Sequence, residues 1–181
     1  MNEQQKYERM WEEPIYRSGD GGLQHIDEFV RVADVQAGQT IVDFGCGEGR
    51  TLQPLAALGA RVILIDIAVN CLAEDVPRNG FFRHDMSSNL HLQADTGFCV
   101  DMMEHVPTQQ VDDVLLNIFD VVRDCYFMVS TTPDACGQLI GEVLHLTVRP
   151  FQWWKPKLAT HGTVKLLNKT NTGFTVFVSA T

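Results

Sequence analysis

Short apolar stretches alternate with amphipathic stretches through the middle of the chain and predict alternating strands and helices. Apolar runs over residues 40–44, 61–66 and 125–131 predict three strands, and weaker runs near 79–83 and over 96–100 predict two more. The run over 61–66 is almost continuously apolar, as expected of a strand that is covered on both faces.

Apolar residues at helical spacing follow several of these strands. The predicted helices span residues 23–35, 50–58, 108–122 and 150–159. Thr108 is placed to cap the third helix, and Pro150 to start the fourth. Two late strands, over 162–168 and 173–179, are separated by a turn signal and predict a hairpin.

This alternation predicts an α/β fold, a three-layer and doubly wound sheet with helices on both faces. Residues 84–95 separate the third and fourth strands and are too few for a crossover helix, so we expect a reduced turn there. Residues 1–22 form a polar opening segment that ends in a loose tip, Ser18-Gly19-Asp20-Gly21-Gly22. The whole chain, residues 1–181, is predicted to be a single domain.

The charge balance disfavours one class of partner. The chain has 14 basic and 23 acidic side chains and a formal net charge of −9. Binding to nucleic acid requires a basic face, so a protein that coats nucleic acid is not expected. Apolar residues make up 45 % of the chain, which is enough for a core, and the chain has no apolar run long enough for a membrane span.

Cysteine and histidine usage predicts a reducing compartment and no metal site. The five cysteines are odd in number and form no C-x-x-C pair, which is typical of reduced thiols in a cytoplasmic protein. The polar N-terminus lacks an apolar secretory core. The six histidines are scattered along the sequence, so no metal is expected.

A glycine-rich turn carries the main chemical signal. Gly45-Cys46-Gly47-Glu48-Gly49 joins a predicted strand to a predicted helix, and glycines there let a ligand approach the bare backbone. Asp66 ends the next strand, where an acid can bind both hydroxyls of a ribose. Two cofactors fit this pattern. A dinucleotide requires a third glycine where this chain has Arg50, which favours S-adenosylmethionine instead.

The sequence resembles the class I S-adenosylmethionine-dependent methyltransferases of the small-substrate type. The resemblance covers about residues 36–181 and includes a terminal hairpin and four motifs in the expected order. These motifs lie at residues 42–49, 63–66, 83–86 and 99–107. The resemblance implies a seven-stranded sheet in the order 3-2-1-4-5-7-6 with strand 7 antiparallel. It also implies that residues 36–181 form the cofactor-binding core and that residues 1–35 form a helical lid or substrate segment.

The resemblance assigns cofactor contacts from the methionine end of S-adenosylmethionine, through the ribose, to the adenine. The implied residues are Asp43, Gly45, Cys46, Gly47, Asp66, Ile67, Asp85, Met86, Cys99 and Val100. Tyr16 and Arg17 are expected to act as a lid, with Arg17 near the cofactor carboxylate. Neither an N-P-P-Y or D-P-P-Y tetrad nor a Pro-Cys pair follows the fourth strand, so methylation of adenine or glutamine nitrogen, or of cytosine C5, is not indicated.

Methyl transfer from a sulfonium is a direct displacement, so a base is needed only for an acceptor that keeps its proton. The candidate bases are His145, His105, Asp101 and Glu142. Aromatic residues outside the repeated strand–helix units have two interpretations. They wall an acceptor pocket, or they attach terminal segments to the core. The aromatic residues assigned to the acceptor are Trp11, Phe151, Trp153 and Trp154.

The resulting prediction is methyl transfer from S-adenosylmethionine to a small-molecule or sugar-like acceptor, which leaves S-adenosylhomocysteine. One alternative is a binding module or regulatory subunit that holds the cofactor without turnover. Another is a protein or nucleic-acid methyltransferase, and a third is a dinucleotide-dependent oxidoreductase. A shared basic strip would favour the nucleic-acid alternative, and its candidate residues are Arg31, Arg50, Arg149, Lys155 and Lys157.

Overall fold

The computed structural model describes residues 1–19, 22–134 and 136–180. Asp20 and Gly21, which belong to the predicted loose tip, lie outside the described residues. Seven strands form one sheet in the order β3-β2-β1-β4-β5-β7-β6, which confirms the predicted fold and strand order. The strands are β1 (Thr40–Phe44), β2 (Arg61–Asp66), β3 (Phe81–Arg83), β4 (Ala94–Val100), β5 (Val122–Ser130), β6 (Thr163–Lys169) and β7 (Gly173–Ser179).

The helices of the described residues lie between and before these strands. They are α1 (Glu3–Met10), α2 (Ile26–Val32), α3 (Leu52–Ala57), α4 (Val111–Val121) and α5 (Phe151–Leu158), with short 3₁₀ turns at Pro14–Ser18, Leu23–His25, Met103–His105, Thr108–Gln110 and Gly137–Ile140. Pro54 lies in the first turn of α3, where its missing N–H leaves no internal hydrogen bond unmade. Not one of these helices is long and apolar enough to cross a membrane.

The central strands of the sheet are buried on both faces, whereas the edge strands β3 and β6 are mostly exposed. Strand β1 pairs in parallel with β2 and β4, whereas β7 runs antiparallel to β5 and β6. One core cluster packs α4 and α5 around Phe44 and Phe127, and a second packs α2 and α3 around Leu64 and Phe98. The carboxyl ends of the parallel strands therefore meet at one open edge between these layers, which is where ligands bind in such sheets.

Two local differences from the predicted elements have physical causes. Helix α1 lies in the polar segment where apolar spacing gives no helix signal, and a capping box between Asn2 and Gln5 begins it. Thr108 does not cap α4, because its hydroxyl lies 2.9 Å from the Thr147 hydroxyl and the helix begins at Val111 after a 3₁₀ turn. The predicted reduced turn is confirmed, since residues 84–93, all described, contain no helix.

Candidate active site

A cavity of about 550 Å³ lies at the carboxyl ends of β1, β2 and β4, beneath helix α1. It brings together predicted residues from distant parts of the sequence. Those that line it are Trp11, Tyr16, Gly45, Gly47, Asp66, Ile67, Asp85, Met86, Asp101, His105 and His145. Others, all within the described part of the chain, do not line it: Arg17, Asp43, Cys46, Cys99, Val100, Glu142, Phe151, Trp153 and Trp154.

The glycine turn forms one wall of this cavity. Gly45 and Gly47 have φ angles of 74° and 50°, in the left-handed region that glycine adopts without steric cost. A Cβ atom on Gly45 would lie 2.5 Å from Cγ of Met102. The amide of Gly45 donates to the carbonyl of Ile65 at 2.8 Å, which ties the turn to the end of β2. Backbone therefore faces the cavity at this wall.

Asp66 is held rigidly at the end of β2. Its carboxylate accepts hydrogen bonds from the amides of Gly47 at 3.0 Å and Ala68 at 2.9 Å. Burial raises the pKa of Asp66, and these backbone donors oppose the rise. Asp66 also lines the cavity, and each carboxylate oxygen can accept a second hydrogen bond.

Asp43 and three other residues with implied cofactor contacts lie behind the cavity wall. The Thr51 hydroxyl donates to the Asp43 carboxylate, which joins the end of β1 to the start of α3. Burial raises the pKa of Asp43 to about 7, and the Asp66 carboxylate adds to the rise. Cys46 and Cys99 are buried, and burial raises the pKa of both thiols well above the usual value, so both are packing residues in the thiol form. Val100 packs against the core beside α2.

Asp101, His105 and His145 form a compact cluster that also lines the cavity. One ligand-type atom of each lies within 4.8 Å of the others. The two imidazole rings are 4.8 Å apart between centroids and nearly perpendicular. Asp101 directly follows β4 and has a φ of 55°, an uncommon backbone conformation that concentrates at functional sites.

The chain after β5 folds back over the sheet to bring His145 to this cluster. The amides of Leu146 and Thr147 both donate to the carbonyl of Glu104, at 2.8 and 2.9 Å. This pairing sets His145 beside His105, although 40 positions separate them in the sequence. Sequence spacing alone does not reveal such a contact.

Both histidines are oriented through their Nδ1 atoms. His145 Nδ1 lies 2.7 Å from the carbonyl oxygen of Thr132, so it carries a proton and donates it there. His105 Nδ1 lies 3.1 Å from the Tyr7 hydroxyl. Burial lowers the pKa of His105 to about 4, which leaves its imidazole neutral near pH 7.

Sequence reasoning missed two residues of this region. Tyr7 belongs to the polar opening segment, where a lone aromatic residue gives no site signal. Glu104 is part of the fourth predicted motif and is fully buried, with one carboxyl oxygen accepting from the amide of Ser130 and the other without a hydrogen-bond partner. Burial, followed by the adjacent Asp101 carboxylate, raises the pKa of Glu104 well above its usual value. The motif position was the available signal for Glu104.

The predicted aromatic residues divide between the two interpretations. Trp11 and Tyr16 line the cavity, and the Tyr16 hydroxyl donates to the carbonyl of Cys136 at 2.6 Å. The structure does not bring the α5 aromatics there. Trp154 is fully buried in the core, and the ring centroid of Phe151 lies 5.0 Å from that of Phe174 in β7. These α5 rings, with Trp153 against Trp154, attach the helix to the sheet.

Arg17, which is expected near a cofactor carboxylate, does not line the cavity and binds backbone carbonyls. Its guanidinium donates to the backbone carbonyls of Trp11, Asn70 and Cys71 at 2.7 to 3.1 Å. It also lies 5.5 Å from the Trp11 ring centroid. These contacts occupy the guanidinium donors and hold Trp11 over the glycine turn.

Comparison with known proteins identifies relatives of this arrangement. Residues 21–171 match the family described as "Methyltransferase domain". Two curated relatives, the ubiquinone biosynthesis O-methyltransferases of Pseudomonas savastanoi pv. phaseolicola and Pseudomonas syringae pv. syringae, are 32 % identical over 114 residues. That match covers 58 % of this chain and 44 % of theirs, so the chain spans less than half the length of these relatives.

Solved structures share the fold at low sequence identity. Magnesium protoporphyrin IX methyltransferase (ChlM) from Synechocystis PCC 6803, with bound S-adenosylhomocysteine, has a TM-score of 0.66 at 20 % identity and covers 100 % of this chain and 88 % of its own. DhpI, in complex with S-adenosylhomocysteine, has a TM-score of 0.69 at 16 % identity, and the match covers 98 % of this chain and 95 % of the DhpI chain. The family match over most of the chain, with the same strand order, confirms the predicted class, and the chain belongs to the methyltransferase domain family, whose class I members use S-adenosylmethionine.

Proposed function

We propose that this protein transfers the methyl group of S-adenosylmethionine to a hydroxyl oxygen of a small-molecule acceptor. One observation carries the proposal. The glycine turn and Asp66 line the same cavity as the Asp101, His105 and His145 cluster. A cofactor at the glycine turn and Asp66 would direct its methyl group toward an acceptor held at the cluster.

The cofactor side offers complementary groups along its length. Gly45 and Gly47 expose backbone to the methionine portion, and Asp66 accepts from the ribose hydroxyls. Asp85 and Met86 line the cavity beyond β3, on the adenine side. Trp11 stands against the glycine turn, since a Cβ on Gly47 would lie 3.1 Å from its ring, and it excludes water from above.

The acceptor side supplies a proton acceptor for a hydroxyl group. In the displacement, the acceptor oxygen forms a bond to the methyl carbon while the carbon–sulfur bond breaks, and S-adenosylhomocysteine leaves. The hydroxyl proton moves to Nε2 of His145, whose Nδ1–H is directed to the Thr132 carbonyl. Alignment of the oxygen opposite the sulfur provides most of the rate enhancement.

A small acceptor agrees with the shape of the cavity. Tyr7 and Met10 of helix α1 and the following Trp11 line it and limit its size. The curated relatives are named O-methyltransferases of ubiquinone biosynthesis, which supports oxygen as the acceptor atom.

Calorimetric titration with S-adenosylmethionine, S-adenosylhomocysteine and NADH tests the cofactor first. We expect the two adenosyl ligands to bind and NADH not to bind. Asp66→Asn should weaken binding of both by about 1–3 kcal/mol, because it removes a charged acceptor. Asp27→Asn, at an exposed position on α2, is the matched control. If the adenosyl ligands fail to bind, the proposal is wrong.

Transfer itself is tested with isotope-labelled S-adenosylmethionine and a panel of small hydroxylated acceptors. His145→Gln should lower kcat by about 100-fold or more while cofactor affinity stays constant, since a general base contributes on that scale. His91→Gln changes an exposed histidine outside the cavity and should leave kcat unchanged. Cofactor binding without transfer to any acceptor in the panel would instead support a binding module.

A further inference from the structure

We infer that Asp101, His105 and His145 form a binding site for a divalent transition-metal cation that holds the acceptor oxygen. The cation's part in catalysis rests on the proposed function, whereas the binding site itself does not. The sequence predicts no metal here, because the ligands come from separate segments and show no ligand spacing. The argument comes from the hydrogen bonds around the cluster.

The three ligand atoms already lie near the separation that a cation needs. They are within 4.8 Å of one another. Two ligand atoms at about 2.1 Å from one tetrahedral cation lie about 3.4 Å apart. Small side-chain rotations are enough to close the site, because Asp101 is exposed and both imidazoles border the cavity.

The hydrogen bonds made by Nδ1 leave Nε2 of each histidine as the nitrogen that can bind a cation. His145 donates its Nδ1–H to the Thr132 carbonyl, so its Nε2 is unprotonated. The Tyr7 hydroxyl has the Leu144 carbonyl as an acceptor at 3.5 Å, which lets its oxygen accept the Nδ1–H of His105. Metal-binding histidines are held in this way, with one nitrogen donating to a fixed acceptor and the other facing the metal.

The cluster is rich in acceptors, and none of the ion pairs within the described part of the chain includes Asp101 or Glu104. The two imidazoles and the Asp101 carboxylate each offer one acceptor atom, and the Glu104 carboxyl is adjacent to Asp101. One Glu104 oxygen is buried without a hydrogen-bond partner. The Lys6 ammonium, whose charge acts on His105, is paired with Glu3 at 2.5 Å and donates to the carbonyl of Val143. A cation bound by Asp101 and the two imidazoles would satisfy these acceptors and neutralise the Asp101 carboxylate.

The ligand set indicates which cations fit. Imidazole nitrogens favour zinc, iron, cobalt and nickel over magnesium and calcium, which prefer all-oxygen sites. Three protein ligands leave at least one coordination position open to the cavity. A hydroxyl bound there has a lowered pKa and loses its proton to solvent near neutral pH, so the cation replaces His145 as the group that activates the acceptor oxygen.

Cation binding is measured on chelator-treated protein without any cofactor. Equilibrium dialysis against Co²⁺ and against Zn²⁺, followed by elemental analysis, should give one ion per chain. The visible absorption of Co²⁺ should show nitrogen and oxygen ligation. Asp101→Asn, His105→Gln and His145→Gln should each abolish stoichiometric binding. Tyr7→Phe removes only the partner of His105 and should weaken affinity by about tenfold or more.

Matched controls keep the result specific. His91→Gln and Asp27→Asn change the same residue types at exposed positions away from the cavity and should retain one ion per chain. Thermal unfolding monitored by circular dichroism identifies any variant that fails to fold. Substoichiometric binding to the unaltered protein, or equal binding by the ligand variants and these controls, would overturn the site.

Methyl transfer by chelator-treated and Co²⁺- or Zn²⁺-reloaded protein separates this inference from the proposed function. Transfer that disappears with the chelator and returns with the cation supports the inference and methyl transfer to a hydroxyl oxygen, and it assigns activation of that oxygen to the cation instead of His145. Undiminished transfer without any cation overturns the catalytic part of the inference and leaves the proposed function intact. Stoichiometric cation binding with cofactor binding but no transfer overturns the proposed function and supports the site.

Discussion

Gly45 lies in the cavity wall formed by the glycine turn, at a position where both the backbone angle and the neighbouring Met102 exclude a side chain. Its φ of 74° and the 2.5 Å approach of a Cβ to Met102 are two separate obstacles to a side chain. Gly141 has a φ of 70° but open space around a Cβ, so a side chain there meets only the backbone-angle obstacle and no steric contact. An alanine at either position costs roughly 1–2 kcal/mol of unfolding free energy through the angle alone.

We therefore expect Gly45→Ala to lower the free energy of unfolding more than Gly141→Ala and to abolish binding of S-adenosylmethionine. Gly141→Ala should keep the cofactor affinity of the unaltered protein. Chemical denaturation and calorimetry measure the two quantities. Equal losses of stability in the two variants would show that Met102 moves aside without cost.

Asp43 predicts a pH dependence of stability. Burial raises its pKa from the ordinary value of 3.8 to about 7 in the folded protein. Between these values the folded state holds a proton that the unfolded chain has lost, so this group's contribution to stability falls as the pH rises from about 4 to about 7 and is constant above. In the middle of this pH range, stability falls by about 1.4 kcal/mol per pH unit.

Asp43→Asn removes this titration and keeps an oxygen that can accept from Thr51. The free energy of unfolding, measured by denaturant titration between pH 5 and pH 7.5, should fall less with rising pH in this variant than in the unaltered protein. The lowered pKa of His105 acts with the opposite sign, but it is common to both proteins and cancels in the difference. Parallel pH profiles would contradict a buried, titrating Asp43.

At the scale of elements, helix α5 packs on the sheet and does not line the cavity. Trp154 is fully buried against the sheet, with its indole N–H 3.2 Å from the carbonyl of Arg149. Trp154→Phe should lower the free energy of unfolding by about 1–3 kcal/mol through lost packing and the unpaired carbonyl, without changing the KM of an acceptor. Trp11→Phe, at the cavity, should raise the KM of the acceptor or the Kd of the cofactor. Its loss of unfolding free energy should be smaller than that of Trp154→Phe. The reverse pattern would return α5 to the acceptor site.

The strands show what could be predicted at this scale and what could not. Apolar runs locate β1 and β2 because a strand covered on both faces must be apolar at nearly every position. Helix α1 escaped the same reasoning, since a capping box and contacts made by Tyr7 and Met10 stabilise it instead of an apolar stripe. The strand order followed from the resemblance and not from the apolar pattern.

The sequence displays the part of the candidate site that one local segment carries, and it names His105 and His145 singly, but it does not show the contacts that the fold assembles. Gly45 and Gly47 lie in one continuous turn that the sequence displays. Whether an aromatic residue such as Trp154 faces a pocket or the core depends on helix orientation, which composition does not fix. The meeting of His105 with His145 depends on backbone pairing after β5, and Tyr7 enters only because α1 folds over them.

At the scale of the whole molecule, the chain has a net negative charge, and several of its basic side chains are already paired with carboxylates. Three members of the candidate basic strip are paired with carboxylates: Arg31 with Glu28, Arg50 with Asp75, and Lys157 with Asp112. Arg31 lies on α2, Arg50 follows the glycine turn and Lys157 lies on α5, so they belong to separate elements. With a net charge of −9, this arrangement does not supply the continuous positive face that phosphate binding requires.

We therefore expect labelled single-stranded RNA and duplex DNA to show no saturable binding in fluorescence anisotropy, at either about 50 or about 200 mM salt. Proteins that contact many phosphates lose about 10³- to 10⁵-fold in affinity between these two salt concentrations. Neither nucleic acid should compete with S-adenosylmethionine in calorimetry. A histone-like basic protein serves as the positive control for the labelled probes. Binding that weakens steeply with salt would place a phosphate-binding face on this chain and favour a nucleic-acid acceptor, because counterion release by lysine and arginine is the source of that salt dependence.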